Sequence, residues 1–440
     1  MGGVTRLESG VGRPDSWLAG HILRWLLSVA AAAVYFFSNP NPQSYYDYTF
    51  RVAENFLRGS IGFAEKRPPW LNEFVPFEGE WYSVFPLGAV VSMIPEAALK
   101  IAGIVTQMPG AWVAAILAGI ICYFLLSIAE KYDTSATRRI LLTFAILFGT
   151  FMWTNLTFAG AWQLALGFAM VGQLGAIYFT VYDRRPLLAG LFFALAFGNR
   201  TENLLTAPVF MYLLCRAEEP EKLSLGEEEK GSGTEAVKTG FQGASPFKIR
   251  DLSLFCAVPF VLGISTLIYN YVRFHSFTDF GYSRIPGVLD EPWYNHGIFS
   301  VWYLFRQAWE MLFKMWNWSE TFPYIVPDGF SSSILFSSPF LLLIFRRGAR
   351  DRVLKLASWF SIVILTFLHW THGNSGGWQF GYRYAMVLLP WIFVIMLENG
   401  KRHLTPLEWS LIGLSFVANA YATWVFHWTN YLERWISGDV

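Results

Sequence analysis

Acidic and basic side chains recur at helical spacing soon after the first apolar segment of the chain. Asp47, Arg51 and Glu54 follow one another at intervals of four and three residues, so they share one face of a helix predicted over 45–57. A carboxylate beside a guanidinium can act as a general base, with Asp47 taking the proton and Arg51 orienting it. The alternative is an amphipathic surface helix with an ordinary Asp–Arg pair, and spacing alone leaves both interpretations open.

A second candidate base, Glu73, lies further along the same connection. It stands between Asn72 and Phe74 within 66–82, KRPPWLNEFVPFEGEWY, whose prolines and aromatic residues predict a packed, irregular segment. The ordinary explanation for most acids in such a segment is solvation. Glu73 is the acid of this segment that we keep as an alternative base to Asp47.

The charged pair Arg200 and Glu202 interrupts an apolar stretch of the chain. The two residues separate two short apolar halves in the sequence LAFGNRTENLL, 195–205. Charges near a bilayer are costly and usually face a cavity or a partner. They therefore form either a structural ion pair or a site in which the Arg200 guanidinium reaches a lipid phosphate.

Two further clusters combine basic and aromatic residues. Arg273 and His275 close an apolar run, and His372 and Arg383 lie in a Gly-rich connection. We predict that the arginines stabilise an anion and that the two histidines are auxiliary hydrogen-bond donors. Neither histidine has a His four residues away or a carboxylate triad beside it, so no metal site is predicted. A divalent metal is possible but not favoured, and no other cofactor is expected.

The composition of the chain sets its class. Of 440 residues, 54% are hydrophobic and only 15% are charged, against about 25% charged in soluble domains. The apolar residues come in runs, as in helices that face lipid. A net charge of +1 gives no reason to expect nucleic acid as a partner. The three cysteines fall in or beside apolar runs and predict no disulfide framework, and no cleaved signal peptide is expected.

We predict an all-α polytopic membrane protein that forms a single transmembrane domain over 1–440. It has about eleven spans, and a bilayer requires about 20 residues for each span. The spans are 17–37, 110–128, 140–157, 161–181, 186–197, 204–215, 252–271, 333–345, 354–370, 384–397 and 406–426.

Basic clusters on alternate connections predict the topology, because cytoplasmic loops are enriched in Lys and Arg. The N-terminus is then cytoplasmic. The outer side receives a large first loop with interfacial helices, a second large loop and two shorter connections; these are 38–108, 272–332, 199–203 and 371–383. Residues 85–105 are not expected to cross. The inner connection 217–250, rich in Glu, Gly and Ser, is predicted to be a disordered cytoplasmic loop.

With these segments identified, the chain resembles the type C membrane glycosyltransferases, close to the protein O-mannosyltransferase and aminoarabinose-transferase branch (glycosyltransferase family 39-like). The pieces that carry the resemblance are YYDYTFRVAENFLRG, WYSVFPLGAVVSMIP, GNRTENLL, NYVRFHSFTDFGY and GGWQFGYRYAMVLLP. The resemblance implies that Asp47 is the catalytic base. Many members have Asp-Glu at that point, whereas Tyr48 follows Asp47 here, so Glu73 stays an alternative.

The activity that the resemblance implies is inverting transfer of a sugar from a polyprenyl-phosphate carrier to an acceptor hydroxyl at the outer membrane face. The acceptor is a protein, a glycan or a lipid. Arg200, Arg273 and Arg383 would stabilise the phosphate leaving group. A bacterial plasma membrane is expected, with the endoplasmic reticulum as the alternative. The competing functions are a transporter or flippase for a lipid-linked or small polar solute, and an assembly protein that binds a partner through the Trp-rich loop 296–327.

Overall fold

The computed structural model describes residues 14–216, 246–431 and 434 and is mostly helical. The helices that precede residue 217 are α1 (Pro14–Phe37), α2 (Tyr48–Leu57), α3 (Leu87–Val91), α4 (Ile94–Ile101), α5 (Gly110–Ala129), α6 (Ala136–Phe148), α7 (Met152–Thr157), α8 (Ala161–Ile177), α9 (Pro186–Asn199) and α10 (Ala207–Cys215). Those that follow it are α11 (Pro246–Phe274), α12 (Leu304–Leu312), α13 (Ile334–Ser337), α14 (Arg352–Thr371), α15 (Leu389–Glu398) and α16 (Pro406–Trp428).

Six of the described helices are long and apolar enough to cross a membrane, and they correspond to six of the predicted spans. They are Gly20–Phe37, Gly110–Ala129, Ala161–Tyr182, Lys248–Phe274, Arg352–Thr371 and Pro406–Trp428. Within the protein, 78% of the span Ala161–Tyr182 is buried, whereas only 11% of the span in α11 is buried. Apolar faces that no protein covers require lipid, so the chain is an integral membrane protein.

The other five predicted spans are shorter helices, and the total of eleven stays a prediction. Four of them contain a proline, which lacks an N–H donor and is tolerated mainly in the first turn of a helix, as Pro186 is at the start of α9. Pro208 and Pro390 accordingly lie in the first turns of α10 and α15, each preceded by a 3₁₀ turn, Thr201–Thr206 or Arg383–Leu388. Pro339 begins the 3₁₀ helix Pro339–Phe345.

Two short antiparallel pairs add to the predicted all-α architecture. The strands β1 (Phe74–Phe77) and β2 (Glu80–Ser83) form a hairpin, and β3 (Asn317–Trp318) pairs with β4 (Ile325–Val326). Glu78 and Gly79, both with positive φ, make the two-residue turn of the first hairpin, as the favoured hairpin turns require. This hairpin replaces the irregular segment that the prolines and aromatics of 66–82 predicted.

Residues 85–105, which were not expected to cross, form the short helices α3 and α4. Helix α3 lies against the end of α9, where Gly88 meets Gly198 so closely that a Cβ on Gly88 would overlap the Gly198 backbone. The turn that carries Arg200 begins directly after this contact. Of the loop 217–250 that was predicted to be disordered, residues 217–245 lie outside the described residues. Pro246 begins α11.

Connections that were predicted to be inner meet at one end of the bundle. Arg138 of α6 donates to Glu408 of α16 at 2.5 Å, and Arg346 pairs with the same carboxylate at 2.8 Å. Glu398 accepts a hydrogen bond from the Tyr132 hydroxyl and one from the Asp351 backbone, each at 2.6 Å. Buried charges are stable only when they are paired and hydrogen-bonded, so these contacts fix the helix ends relative to one another.

Candidate functional site

A cavity of about 700 Å³ lies at the opposite end of the helices, where the connections predicted to be outer come together. Its walls come from the first loop, the N-terminal turn of α8, the turn after α9, the segment after α11, and the segment that joins α14 to α15. The walls include charged, histidine and aromatic side chains, namely Glu73, Arg200, Glu202, His369, His372, Arg383, Tyr46, Trp162, Tyr282, Trp378 and Tyr384. Residues from the connections that the sequence predicted to lie on one side of the membrane therefore line one cavity.

Glu73 is positioned by the β1–β2 hairpin. It directly precedes β1, and its carbonyl accepts a hydrogen bond from the Val84 backbone at 3.1 Å, which extends the hairpin by one pair. Its side chain accepts a hydrogen bond from Nε1 of Trp162 at 2.8 Å. Burial raises the pKa of Glu73 to about 7, against the lowering effects of Trp162, Arg383 and Arg200. The carboxylate is therefore half-protonated near neutral pH, which suits proton transfer.

Arg200 and Glu202 form an ion pair in the wall of the cavity. Nε of Arg200 lies 2.8 Å from Oε1 of Glu202, and the guanidinium lies 4.9 Å from the ring centre of Tyr384. Nε2 of His369 lies 3.6 Å from the same carboxylate oxygen. Burial acts to raise the pKa of Glu202, but Arg200 and His369 outweigh it and hold that pKa well below its ordinary value. Much of the charge of Arg200 is thus already balanced.

Arg383 has a different environment. Its guanidinium donates to the carbonyls of Gly377 at 2.8 Å and Gly376 at 3.1 Å, while its buried Nε has no hydrogen-bond partner. Among the described residues it makes no salt bridge with a carboxylate. The backbone N–H of Arg383 donates to Oε1 of Gln379 at 2.7 Å, which fixes the start of the following helix. Arg383 is therefore a buried cation, 6% exposed, whose charge is balanced only at a distance.

His372 is held in one tautomer. Its Nδ1 lies 2.6 Å from the carbonyl oxygen of Asn374, and because a carbonyl only accepts, Nδ1 carries the proton. Burial lowers the pKa of His372 to about 4, so the ring is neutral at pH 7 and its Nε2 is a hydrogen-bond acceptor. The sequence predicts a hydrogen-bond donor at this position. The difference arises because spacing does not reveal the neighbouring carbonyl that fixes the tautomer.

The roof of the cavity, residues 280–299, has a small apolar core of its own. Ile285, Val288 and Tyr294 pack with Val75 of the hairpin and Phe274 of α11, separately from the main core. The hydroxyls of Tyr282 and Tyr294 lie 2.9 Å apart. The roof contributes Glu291 and otherwise mainly apolar and aromatic side chains, whereas Glu73, Arg200 and Arg383 come from the hairpin and the helix ends.

Four predicted site residues do not line the cavity. Asp47 is 7% exposed and pairs with Arg51, with 2.6 Å between Oδ1 and Nε. Arg273 is buried and donates to Oδ1 of Asn270 at 2.6 Å and to the carbonyl of Ser83, so it joins α11 to the hairpin. The His275 ring, about 60% exposed, lies 3.5 Å from Glu78 at the hairpin turn.

Sequence reasoning missed several cavity residues. Trp162, Tyr282, His369 and Tyr384 lie at or next to helix ends, where aromatic residues ordinarily anchor a protein in the membrane interface. The detectable signal was the position of Trp162 and Tyr384 at the predicted outer ends of two spans. Among the described residues, no group of three or more His, Cys, Asp or Glu side chains is placed to hold a metal ion.

Comparisons with known proteins add one finding. No family model matches the chain, and no curated protein matches it. A solved structure, the apo form of the oligosaccharyltransferase of Archaeoglobus fulgidus, is similar with a TM-score of 0.39 and 10% sequence identity. The similarity covers 92% of this chain and 55% of the other, so this chain spans about half the length of that protein. A likeness of this degree carries no argument about function.

Proposed function

We propose that the chain is an inverting membrane glycosyltransferase that moves a sugar from a polyprenyl-phosphate carrier to an acceptor hydroxyl, with Glu73 as the general base. One observation carries the proposal: the cavity of an integral membrane protein combines the Glu73 carboxylate, whose pKa is near neutral, with the buried Arg383 guanidinium, which has no ion-pair partner among the described residues. These are the two groups that attack by a hydroxyl and departure of a phosphate require.

Glu73 is preferred to Asp47 because its side chain reaches the cavity. The Trp162 hydrogen bond occupies one carboxylate oxygen and leaves the other able to accept a proton. Asp47 is committed to Arg51 and lies outside the cavity. We assign Asp47 a positioning role at the start of α2.

Arg383 is the proposed anchor of the donor phosphate. Its two bonds to the Gly376 and Gly377 carbonyls hold the guanidinium plane in place, and its Nε is available for a further acceptor. A preorganised cation in a site shielded from water stabilises a developing negative charge without reorganisation, an effect of about 10²–10³ in rate for one such donor. Arg200, held by Glu202, contributes a weaker field from the adjacent wall.

Neutral groups complete the proposed sugar site. Trp162 and Tyr46, whose ring centres lie 4.9 Å apart, offer flat apolar surfaces to the C–H faces of a sugar ring. Nε2 of His372 is an acceptor for a sugar hydroxyl. Such a site uses few but directional polar groups within apolar walls, as small-molecule sites generally do.

In the proposed reaction, the Glu73 carboxylate takes the proton of the acceptor hydroxyl, and the acceptor oxygen forms a bond to the anomeric carbon. The bond from that carbon to the phosphate oxygen breaks, its electron pair leaves with the phosphate, and the configuration inverts. Because a phosphate is a weakly basic leaving group, stabilisation by Arg383 suffices without a general acid.

The test is transfer of radiolabelled sugar from a panel of polyprenyl-phosphate sugars by the purified chain in lipid vesicles, with Glu73→Gln and the matched control Asp47→Asn. We expect turnover or slow donor hydrolysis by the wild type, a loss of at least about 10²-fold in Glu73→Gln, and a smaller loss in Asp47→Asn. A folded wild-type protein that neither transfers nor hydrolyses any donor would overturn the proposal and favour the transporter. Loss in Asp47→Asn alone would move the base to Asp47.

A further inference from the structure

Six aromatic side chains near the cavity project away from the protein. They form what we call the aromatic platform, defined as Trp302, Phe305, Trp309, Phe313, Trp318 and Phe322. Each is between 57% and 91% exposed. Isolated exposed apolar residues are normal, but several large aromatic side chains exposed within one short stretch of the chain mark a surface that contacts something other than water.

Helix α12 turns aromatic side chains outward and a polar side chain inward, which is the opposite of a helix whose outer face meets water. Phe305, Trp309 and Phe313 recur every four residues and make one outward stripe. Its buried polar residue, Gln307, is turned inward, where it donates to the carbonyl of Gly373 at 2.9 Å and accepts from the Tyr382 hydroxyl at 2.8 Å. A helix that places its polar group inside and its aromatic groups outside is stable only if the outer medium is apolar.

The platform continues the lipid-facing surface of α14. Leu356, Phe360, Val363 and Phe367 form an exposed stripe along this helix, and the next turn carries Trp370. Nε1 of Trp370 lies 3.2 Å from the sulfur of Met311, on the inner side of α12. Helix α12 therefore lies where the lipid-facing stripe of α14 reaches the cavity end of the bundle.

A second contact joins the platform to α16. Leu414 and Val417 are exposed on this helix, and further along it Trp424 packs against Phe322, with 5.8 Å between ring centres. The Tyr421 hydroxyl donates to the carbonyl of Ile325, which fixes the β3–β4 pair on the same helix. Two spans thus meet the platform independently, at the same end of the bundle.

Three charged residues beside the platform make contacts within the protein. Lys314 pairs with Asp328 at 2.9 Å, Glu310 accepts from the Ser331 hydroxyl at 2.8 Å, and Arg306 donates to the carbonyl of Gly373. Glu320, between Trp318 and Phe322 in the sequence, is exposed, so the outward surface combines many aromatic side chains with few charges. Trp and Phe side chains on such a surface suit the boundary between headgroups and acyl chains.

We propose that the aromatic platform is a lipid-binding surface that inserts into the membrane interface and fixes the depth of the cavity. Arg306 and Gln307 both hold Gly373, which adjoins the cavity residues His372 and Asn374. The depth at which α12 rests in the interface therefore sets the depth of this wall. The proposal concerns membrane contact and holds whatever reaction the cavity performs.

Site-directed spin labelling in phosphatidylcholine vesicles tests the proposal. The partly exposed Cys215 and Cys256 are replaced by serine, buried Cys122 is retained, and single cysteines are introduced as Phe305→Cys, Trp309→Cys or Trp318→Cys. The matched references are Phe360→Cys on the lipid-facing stripe of α14 and Lys66→Cys on the exposed part of the first loop. Collision rates with oxygen, which dissolves in lipid, and with a water-soluble nickel complex are measured for each label.

We expect the oxygen-to-nickel ratio at all three platform positions to exceed that at Lys66 several-fold and to approach that at Phe360. A ratio equal to that of Lys66 would show a platform in water and overturn the proposal. Exclusion of both reagents would overturn it too, because a second copy or another protein would then cover the surface. Three independent positions, on α12 and on β3, keep the result decisive if one variant does not fold.

Discussion

Replacing Glu73 by Gln removes a proton acceptor while conserving shape and the hydrogen bond from Trp162. Because the pKa of Glu73 is about 7, about half of the wild-type carboxylates are ionised at pH 7, about one tenth at pH 6 and about nine tenths at pH 8. If Glu73 is the base, wild-type turnover should rise about fivefold from pH 6 to pH 7 and about twofold more by pH 8. The glutamine variant should lose at least about 10²-fold at pH 8 and show no such rise.

Stability separates this role from a structural one. Burial raises the pKa of Glu73 above its value in the unfolded chain, so its protonated form favours folding below about pH 4.5 and this contribution is lost as the pH rises through about 7. The substituted glutamine carries no charge at any pH, and Glu73→Gln should therefore unfold at the same or a higher temperature than wild type at pH 8. The assay is single-turnover sugar transfer across this pH range, with thermal unfolding of the same samples. A variant that keeps wild-type turnover, or one that is inactive because it is unfolded, would refute the reasoning.

Three other expectations concern the same end of the molecule. Arg383→Lys keeps the charge but loses the planar contacts to the two glycine carbonyls, and we expect at least about 10²-fold lower kcat/KM for the donor, measured against an unchanged unfolding temperature. The pKa of His372 is lowered to about 4 in the folded chain, so its contribution to stability is present above about pH 6.5 and is lost as the pH falls toward 4. His372→Asn should flatten this acid-side decline in thermal unfolding, and an unchanged decline would contradict the assignment. Gly88→Ala forces a Cβ against Gly198 and should destabilise the chain by about 1–3 kcal/mol, whereas Gly263→Ala on α11, where nothing lies within 4 Å of the new Cβ, should not.

The sequence predicted the long spans because their signal is local. A run of about 20 apolar residues specifies a membrane helix without reference to the rest of the chain, and segments such as 110–128 and 406–426 meet that criterion. The shorter segments were harder, because a proline such as Pro390 divides a helix into a 3₁₀ turn and an α-helix whose combined role depends on its neighbours. Alternation of basic connections predicted one face for Arg200, Arg273 and Arg383, and in the structure Arg200 and Arg383 line one cavity while Arg273 does not.

The sequence could not choose between Asp47 and Glu73, because the choice depends on tertiary contacts. Both acids lie in one connection, and Asp47 had the better helical spacing with Arg51. That same spacing turns Asp47 toward Arg51 and away from the cavity, whereas the hairpin brings Glu73 to Trp162, 89 residues further along the chain. Likewise Arg273, an attractive phosphate ligand by sequence, uses its donors on Asn270 and the hairpin.

The separate apolar core of the cavity roof gives the two halves of the cavity unequal evolutionary freedom. Residues 286–291 are part of the roof and include a short turn at Gly287. Changes there alter a wall whose buried core includes one residue of a membrane helix, Phe274 of α11. The groups that handle charge, Arg200, His372 and Arg383, lie at the ends of helices whose packing tolerates little change. Descendants of such a chain can acquire a differently shaped substrate by drift in the roof while inheriting the same polar chemistry below it.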